Sequence, residues 1–339
     1  MEIVATPTSL FENVLEFHYS FNDDSHSMDA VVQNKCEYEI LGILKEISTR
    51  FEAQITIETE PLAEGGLRRY LRIVAKDENQ KGTLTSALIL LIITTLLAQP
   101  VTKISEKLID KLFENVELVE LQKHNLKLQN EKDSLEIEKS KLELEKLKQE
   151  VKYKINPLNQ NVKIRKLKSN YYQTLDKYPK VVKVSFLCGL KENKYIKVVN
   201  ETIVERKKFK EFILTSDDLE PVEEENAIIE IISPVLKKES HYKWSGFYKG
   251  SIIVFNMKSN EFKTSVQTGQ IEFKNGSSIN CLLQIKKKID NEGNEKNVEY
   301  NVSRVNIYFQ NEKPIETFEG RLHRNQEEAN KNQLSLPFS

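Results

Sequence analysis

From Thr83 to Gln99 the chain carries no charged side chain, and this run leads into a long stretch dense in Glu and Lys. An uncharged run of about 18 residues is the usual threshold for a membrane-spanning helix, whereas one of about 10–14 is more often a buried core helix or an interfacial segment. This run falls between the two, so a membrane span and a protein core both stand open. As a helix it would rise about 26 Å at roughly 1.5 Å per residue, slightly short of a hydrocarbon layer of about 30 Å. Local thinning, or outward-reaching Lys81 and Lys103, would close the gap. With lysines at both ends, the positive-inside rule sets no orientation. On a helical wheel Thr83, Ser86, Ala87, Thr94 and Ala98 share one side with Leu90. Such a stripe of small and hydroxylated residues suits close helix packing, and in an oligomer it makes Thr83, Ser86 and Thr94 candidates to line a narrow pore.

On either side of this run the pattern changes. Residues 1–80 read as a small α+β domain: Asn13 to Phe21 and Gln54 to Thr59 alternate like strands, and Ile40, Ile43, Leu44, Ile47 and Phe51 are spaced as on a helix. Residues 81–100 are the transmembrane or membrane-associated helix. In 101–156, Val101, Ile104, Leu108, Leu112, Val116 and Val119 recur at three and four, and Leu121, Leu128, Leu135 and Leu142 at seven. Absence of Gly and Pro extends this to one coiled-coil helix of roughly 50 residues, with Asn130 and Asp133 interrupting the apolar seam, ended by Pro157. Residues 157–180 form a basic helical linker. Short alternating runs over 181–320, separated by turns such as Asn275-Gly276, predict a β-rich ligand-binding barrel or sandwich, and 321–339 a flexible tail. The fold class expected is therefore α+β: a small N-terminal unit, a hydrophobic helix continuing into a long coiled-coil helix, and a C-terminal β-rich barrel or sandwich.

With 339 residues the chain can bury real cores, and 50 basic against 51 acidic residues name no partner by net charge. Distribution says more. Lys163, Arg165, Lys166 and Lys168 open a basic block suited to phosphate or anionic lipid, although such blocks are commonly solvated surface. Cys36, Cys188 and Cys281 are widely separated and fit buried free thiols in a reducing compartment. The N-terminus lacks the basic and apolar regions of a cleaved signal.

No phosphate loop, paired-histidine zinc motif, Cys-x-x-Cys pair or nucleophile elbow occurs, and the five histidines lie in dissimilar settings, so no enzyme is expected, and no cofactor or metal. The segment His241 to Gly250 concentrates aromatics and lysines around the lone tryptophan. Aromatic faces interleaved with cations on a small barrel suit single-stranded nucleic acid, which makes Lys243, Trp244, Tyr248 and Lys249, with the 163–168 cluster, the candidate ligand-binding residues. The competing expectation places Trp244 in the barrel core.

Three stretches carry a family resemblance: Ser25-His26-Ser27-Met28-Asp29-Ala30 with Glu64-Gly65-Gly66-Leu67; the hydrophobic segment leading into a long helix; and Ile231-Ile232-Ser233-Pro234-Val235-Leu236-Lys237-Lys238 followed by Lys243-Trp244 and Gly250. Through them the chain resembles the membrane effector of the Hailong anti-phage defence system. That resemblance implies a bacterial inner-membrane, ion-channel-like homotetramer. Short single-stranded DNA oligomers, made by a partner nucleotidyltransferase, would hold it closed on the cytoplasmic side, and their loss would open it and kill the cell. The alternatives are a soluble coiled-coil scaffold or adaptor, with the apolar run as an oligomer core, and a sensor whose barrel binds another protein.

Overall fold

A computed structural model describes residues 12–23, 27–60, 67–75, 80–100, 146, 149, 153, 156–192, 195–237, 242–274, 276–310 and 313–334. Two compact units result, one of Met1–Thr215 with Asn291–Asn294 and one of Ser216–Asp290 with Glu295–Ser339.

In the first unit an antiparallel sheet has the order β2-β3-β1-β4-β5, from β1 (Glu12–Phe21), β2 (Ile55–Glu60), β3 (Leu67–Ala75), β4 (Val181–Glu192) and β5 (Tyr195–Glu205). Strand alternation puts Leu15, Phe17 and Tyr19 of β1 on one face with Val184, Phe186 and Cys188 across the strands, and this face forms the first core. Helix α1 (Ala30–Arg50) starts where the Asp29 carboxylate accepts from the amides of Val31 and Val32. Its buried Cys36, Ile40, Ile43, Leu44 and Ile47 give the three-four spacing of one helical face. Helix α3 (Val162–Asp176), capped by Asn161, packs beside it, with Gly42 leaving room for Leu167.

The apolar run forms α2 (Gln80–Ala98), and here the expectation is corrected. Ile89 to Ile93, with Leu96 and Leu97, are buried in the first core, and the helix packs against β1, β3, β4 and β5. Among the described residues no helix is long and apolar enough to cross a membrane. The membrane span, the channel built on it and the inner-membrane location are therefore contradicted. The physical reason is that the sheet supplies an apolar surface that buries this helix within its own chain.

Nor does α2 continue into a long helix, since it ends at Ala98 and the chain bends at Gln99 before Pro100. The coiled coil expected over 101–156 lies outside the described residues apart from isolated positions and Asn156, which opens a short 3-10 helix (Asn156–Gln160). No long helix supports the scaffold alternative among the described residues. The fold class is thus corrected to a mostly β architecture with scattered helices.

The second unit is a closed barrel. Its strands are β6 (Val222–Ser233), β7 (Trp244–Tyr248), β8 (Ser251–Met257), β9 (Ser278–Ile289) and β10 (Glu295–Gln310). Strand β6 pairs with both β7 and β9, β7 with β8, and β9 with β10, all antiparallel; β8 then closes onto β10 in parallel. Helix α4 (Asn260–Gln267), capped by the Ser259 hydroxyl, lies between β8 and β9, and β11 (Lys313–Glu316) extends the sheet from β10. A two-residue turn at Lys249-Gly250 joins β7 to β8 with both residues at positive φ. Trp244, Phe255, Phe262, Ile279 and Val302 fill the interior. Beyond Gly320 the sequence suggests a loose tail, but Phe318–Leu334 forms helix α5.

Candidate functional site

Alternation along β6, β7 and β8 sends one set of side chains into the barrel and the other outward. Inward go Trp244, Gly246, Tyr248, Ile253, Phe255 and Met257. Outward, large apolar groups stay in solvent: Phe247 is 43% exposed, Ile252 65% and Val254 54%, with Ile228 and Ile232 on β6 about half exposed. Register makes them one surface. Phe247 lies between Glu230 of β6 and Ile252 of β8, and Ser245 lies opposite Val254. A contiguous exposed apolar patch is a candidate interaction surface.

The connection from β6 to β7 carries exposed aromatic and cationic groups of its own. Leu236 and Tyr242 are exposed, and the Lys237 ammonium lies 5.8 Å from the centre of the Tyr242 ring. The Lys237 carbonyl accepts from the Gln267 amide at 2.7 Å, which ties the connection to α4. Lys243 is exposed at the start of β7 and close to β10. The Glu299 carboxyl is held below its usual value first by the hydrogen bond from Lys286, with Lys243 among the further cations that contribute.

Four other barrel lysines are already engaged. Lys249 pairs with Glu224 at 2.8 Å, Lys286 with Glu299 at 2.9 Å, Lys287 with Glu295 at 3.1 Å, and Lys288 with Asp218 at 3.1 Å. Arg304 meets Glu225 at 2.7 Å. The Lys249 and Tyr248 hydrogen bonds hold the Glu224 carboxyl low. The face therefore offers stacking and apolar contact with a few cations at one end.

The candidate residues from the sequence do not gather into one site. Trp244 is only 1% exposed and packs among Phe255, Phe262 and Phe273 in the core. Tyr248 points inward and donates to Glu224, and Lys249 is bound to the same carboxylate. Only Lys243 of that group borders the outer face.

The basic cluster lies in the other unit and is structural. Lys163 is 3.7 Å from Glu46, and Arg165 buries an Nε with no hydrogen-bond partner among the described residues. Lys166 is buried near Glu39, whose carboxyl is pushed up to about 7 by burial, opposed by an Asn170 hydrogen bond and the Lys166 charge. Lys168 is buried and donates to the carbonyls of Leu96 and Gln99.

Of the pore candidates, Thr83 and Ser86 belong to the part of α2 whose side chains lie outside the described residues. Thr94 is fully buried; it donates to the Leu91 carbonyl at 3.0 Å and accepts from Asn200 at 3.2 Å. This helix–sheet seam leaves it no pore to line.

Sequence reasoning passed over Ile252 and Val254, and did not choose Tyr242 and Phe247 from the aromatic segment His241 to Gly250 that holds them. The signal was Ile252-Ile253-Val254-Phe255, apolar on both strand faces, which reads as a doubly buried strand. Among the described residues only one of those faces is covered. Among the described residues no group of three or more His, Cys, Asp or Glu side chains is placed to hold a metal. No family model matches the chain, and no curated protein or solved structure matches it.

Proposed function

We propose that the C-terminal barrel is a binding module for single-stranded oligonucleotide, which lies across the outer face of β7 and β8 and against the β6–β7 connection. The observation that carries this reading is the connectivity. The first strand pairs with the second and fourth, the third closes on the fifth in parallel, and a helix lies between third and fourth. That is the arrangement of the oligonucleotide- and oligosaccharide-binding barrel, which uses the face of its second and third strands with the loop joining the first two. It is an argument from fold analogy, which by itself names a site rather than a ligand. Chemistry narrows the ligand: Phe247 and Tyr242 offer exposed rings for bases, and Lys237 and Lys243 offer cations for phosphates. The oligomer would be supplied by a nucleotidyltransferase, as the sequence resemblance implies.

Acidic side chains slightly outnumber basic ones over residues 216–310, and Lys249, Lys286, Lys287 and Lys288 are paired. Stacking thus carries more of the affinity than charge. With roughly two phosphates contacted, the salt slope for a single strand is about −1.4, so affinity falls less than tenfold from about 50 to about 200 mM salt.

The test is anisotropy of a labelled oligothymidylate of about 12 nucleotides, with a duplex and an oligosaccharide as competitors. Single-strand binding that weakens roughly tenfold in Phe247→Ala supports the reading, by the usual worth of one stacked base. No binding at about 50 mM salt, an unchanged Phe247→Ala, or displacement by the oligosaccharide alone would overturn it.

A further inference from the structure

The sheet of the first unit has a second face, opposite the core, on which titratable groups collect. Register places His18 of β1 between Arg68 of β3 and Ser185 of β4, and Ser20 opposite Lys183. Because alternate residues share a face, His18, Ser20, Lys183, Ser185 and Arg68 crowd one end of the same surface. His18, Ser20 and Ser185 are half-buried, and Lys183 is exposed.

We propose that this end of the sheet binds a phosphoryl-type oxyanion, held by the His18 imidazole and the Ser20 and Ser185 hydroxyls between the cationic side chains of Arg68 and Lys183. The inference concerns the other unit and is independent of the oligonucleotide reading.

A doubly charged tetrahedral oxyanion is the class that answers two cations, one of them the Arg68 guanidinium shared with Glu16, and several neutral donors at once. Two of the carboxylates facing this end, Glu16 and Glu205, are already engaged. Glu16 lies 3.5 Å from the Arg68 Nε and is also bonded by Tyr70; burial pushes its carboxyl up. Glu205, opposite Lys183 on β5, is bound by Lys207, which holds its carboxyl low. Glu201 on β5 is the remaining carboxylate near His18 and works against the anion.

His18 reports the occupant. Burial first, then the positive charges of Arg68 and Lys183, push the imidazole below its ordinary value, and Glu201 opposes them. A bound anion offsets those two cations, so the His18 titration moves up when the site fills, and by linkage the anion binds more tightly as pH falls through that titration.

The experiment is an NMR titration of the His18 ring in the full chain, with inorganic phosphate against chloride at matched ionic strength, and nucleoside monophosphate in a parallel arm. Expected is a rise in the His18 midpoint with phosphate, and affinity at least about fivefold weaker in Lys183→Gln and in Ser185→Ala. Both substitutions are solvent-side and leave the core intact. Equal response to both phosphate species assigns the site to the phosphoryl group, and tighter binding of the nucleotide assigns it to a nucleotide ligand; each supports the proposal. A His18 midpoint unmoved by either, or moved as far at the same phosphate concentration in Lys183→Gln and Ser185→Ala as in the native chain, would overturn it.

Discussion

The Nζ of Lys168 lies 3.1 Å from the carbonyl oxygen of Leu96, and the same ammonium reaches the Gln99 carbonyl at 3.0 Å. One turn on, the Tyr172 hydroxyl donates to the Leu97 carbonyl. The last carbonyls of an α-helix have no partner within it, and cations are favoured there. Helix α2 ends inside the protein, so α3 supplies both the missing donors and the charge.

Burial, and secondarily the Arg165 charge, pull the Lys168 ammonium down to about 8. Between that value and the ordinary lysine value of about 10.4 the unfolded chain binds more protons than the folded one, so stability rises with pH across this window and is lost as pH falls through about 8. Urea midpoints from about pH 7.5 to 10.5, compared between the native chain and Lys168→Met, should show this rise only in the former. Its size is on the order of 3 kcal/mol.

Arg206 performs the corresponding task for α3. Its Nη1 reaches the carbonyls of Leu175 and Tyr178 at 3.0 Å and Val181 at 3.1 Å, and its Nη2 reaches Asp176. Arg206→Lys keeps the charge but loses the planar fork. We expect a loss of roughly 2–4 kcal/mol in chemical denaturation, with the unpaired carbonyls as the cause.

Gly246 lets β7 lie against β6 where a side chain would not fit. A Cβ there would sit 2.6 Å from the Glu230 carbonyl oxygen and 2.6 Å from Ile229 Cγ2. Gly246→Ala should cost about 1–3 kcal/mol by overpacking. Gly250, at φ 78° with open space around it, should cost about 1 kcal/mol on substitution by Ala, from backbone strain alone. Paired denaturant curves of the two variants separate packing from backbone.

Trp244 is buried with an indole N–H that has no hydrogen-bond partner among the described residues. Trp244→Phe removes that unpaired donor along with some packing, and the two effects offset to within about 1 kcal/mol, whereas Trp244→Ala costs about 3–5 kcal/mol. Acrylamide quenching checks the placement independently: emission of the folded chain should be nearly inaccessible.

Much of the barrel was legible because period-two alternation survives in β6 and β9, where inward Ala227, Ile229 and Ile231 meet Ile279, Cys281 and Leu283. The placement of α2 was not. A helix apolar on every side satisfies the same pattern in lipid or in a core, and the sheet that decides between them is assembled partly from residues far along the chain. The 163–168 block misled for a related reason. Charge runs are read as surface, but long lysine stems pack like aliphatic groups, and Lys168 finds carbonyls at the far end of its stem. Ile252 and Val254 were missed because exposure leaves no mark on a strand that is apolar on both sides.

Strand β1 is the middle of its sheet, hydrogen-bonded on one side to nearby β3 and on the other to distant β4. During translation β1 and β3 leave the ribosome long before β4 does, so a nascent chain carries a bare sheet edge beside a greasy, undocked α2. Such an intermediate invites strand pairing with a neighbour on the same polysome, and production of this protein should depend on chaperones that shield the early half until β4 arrives.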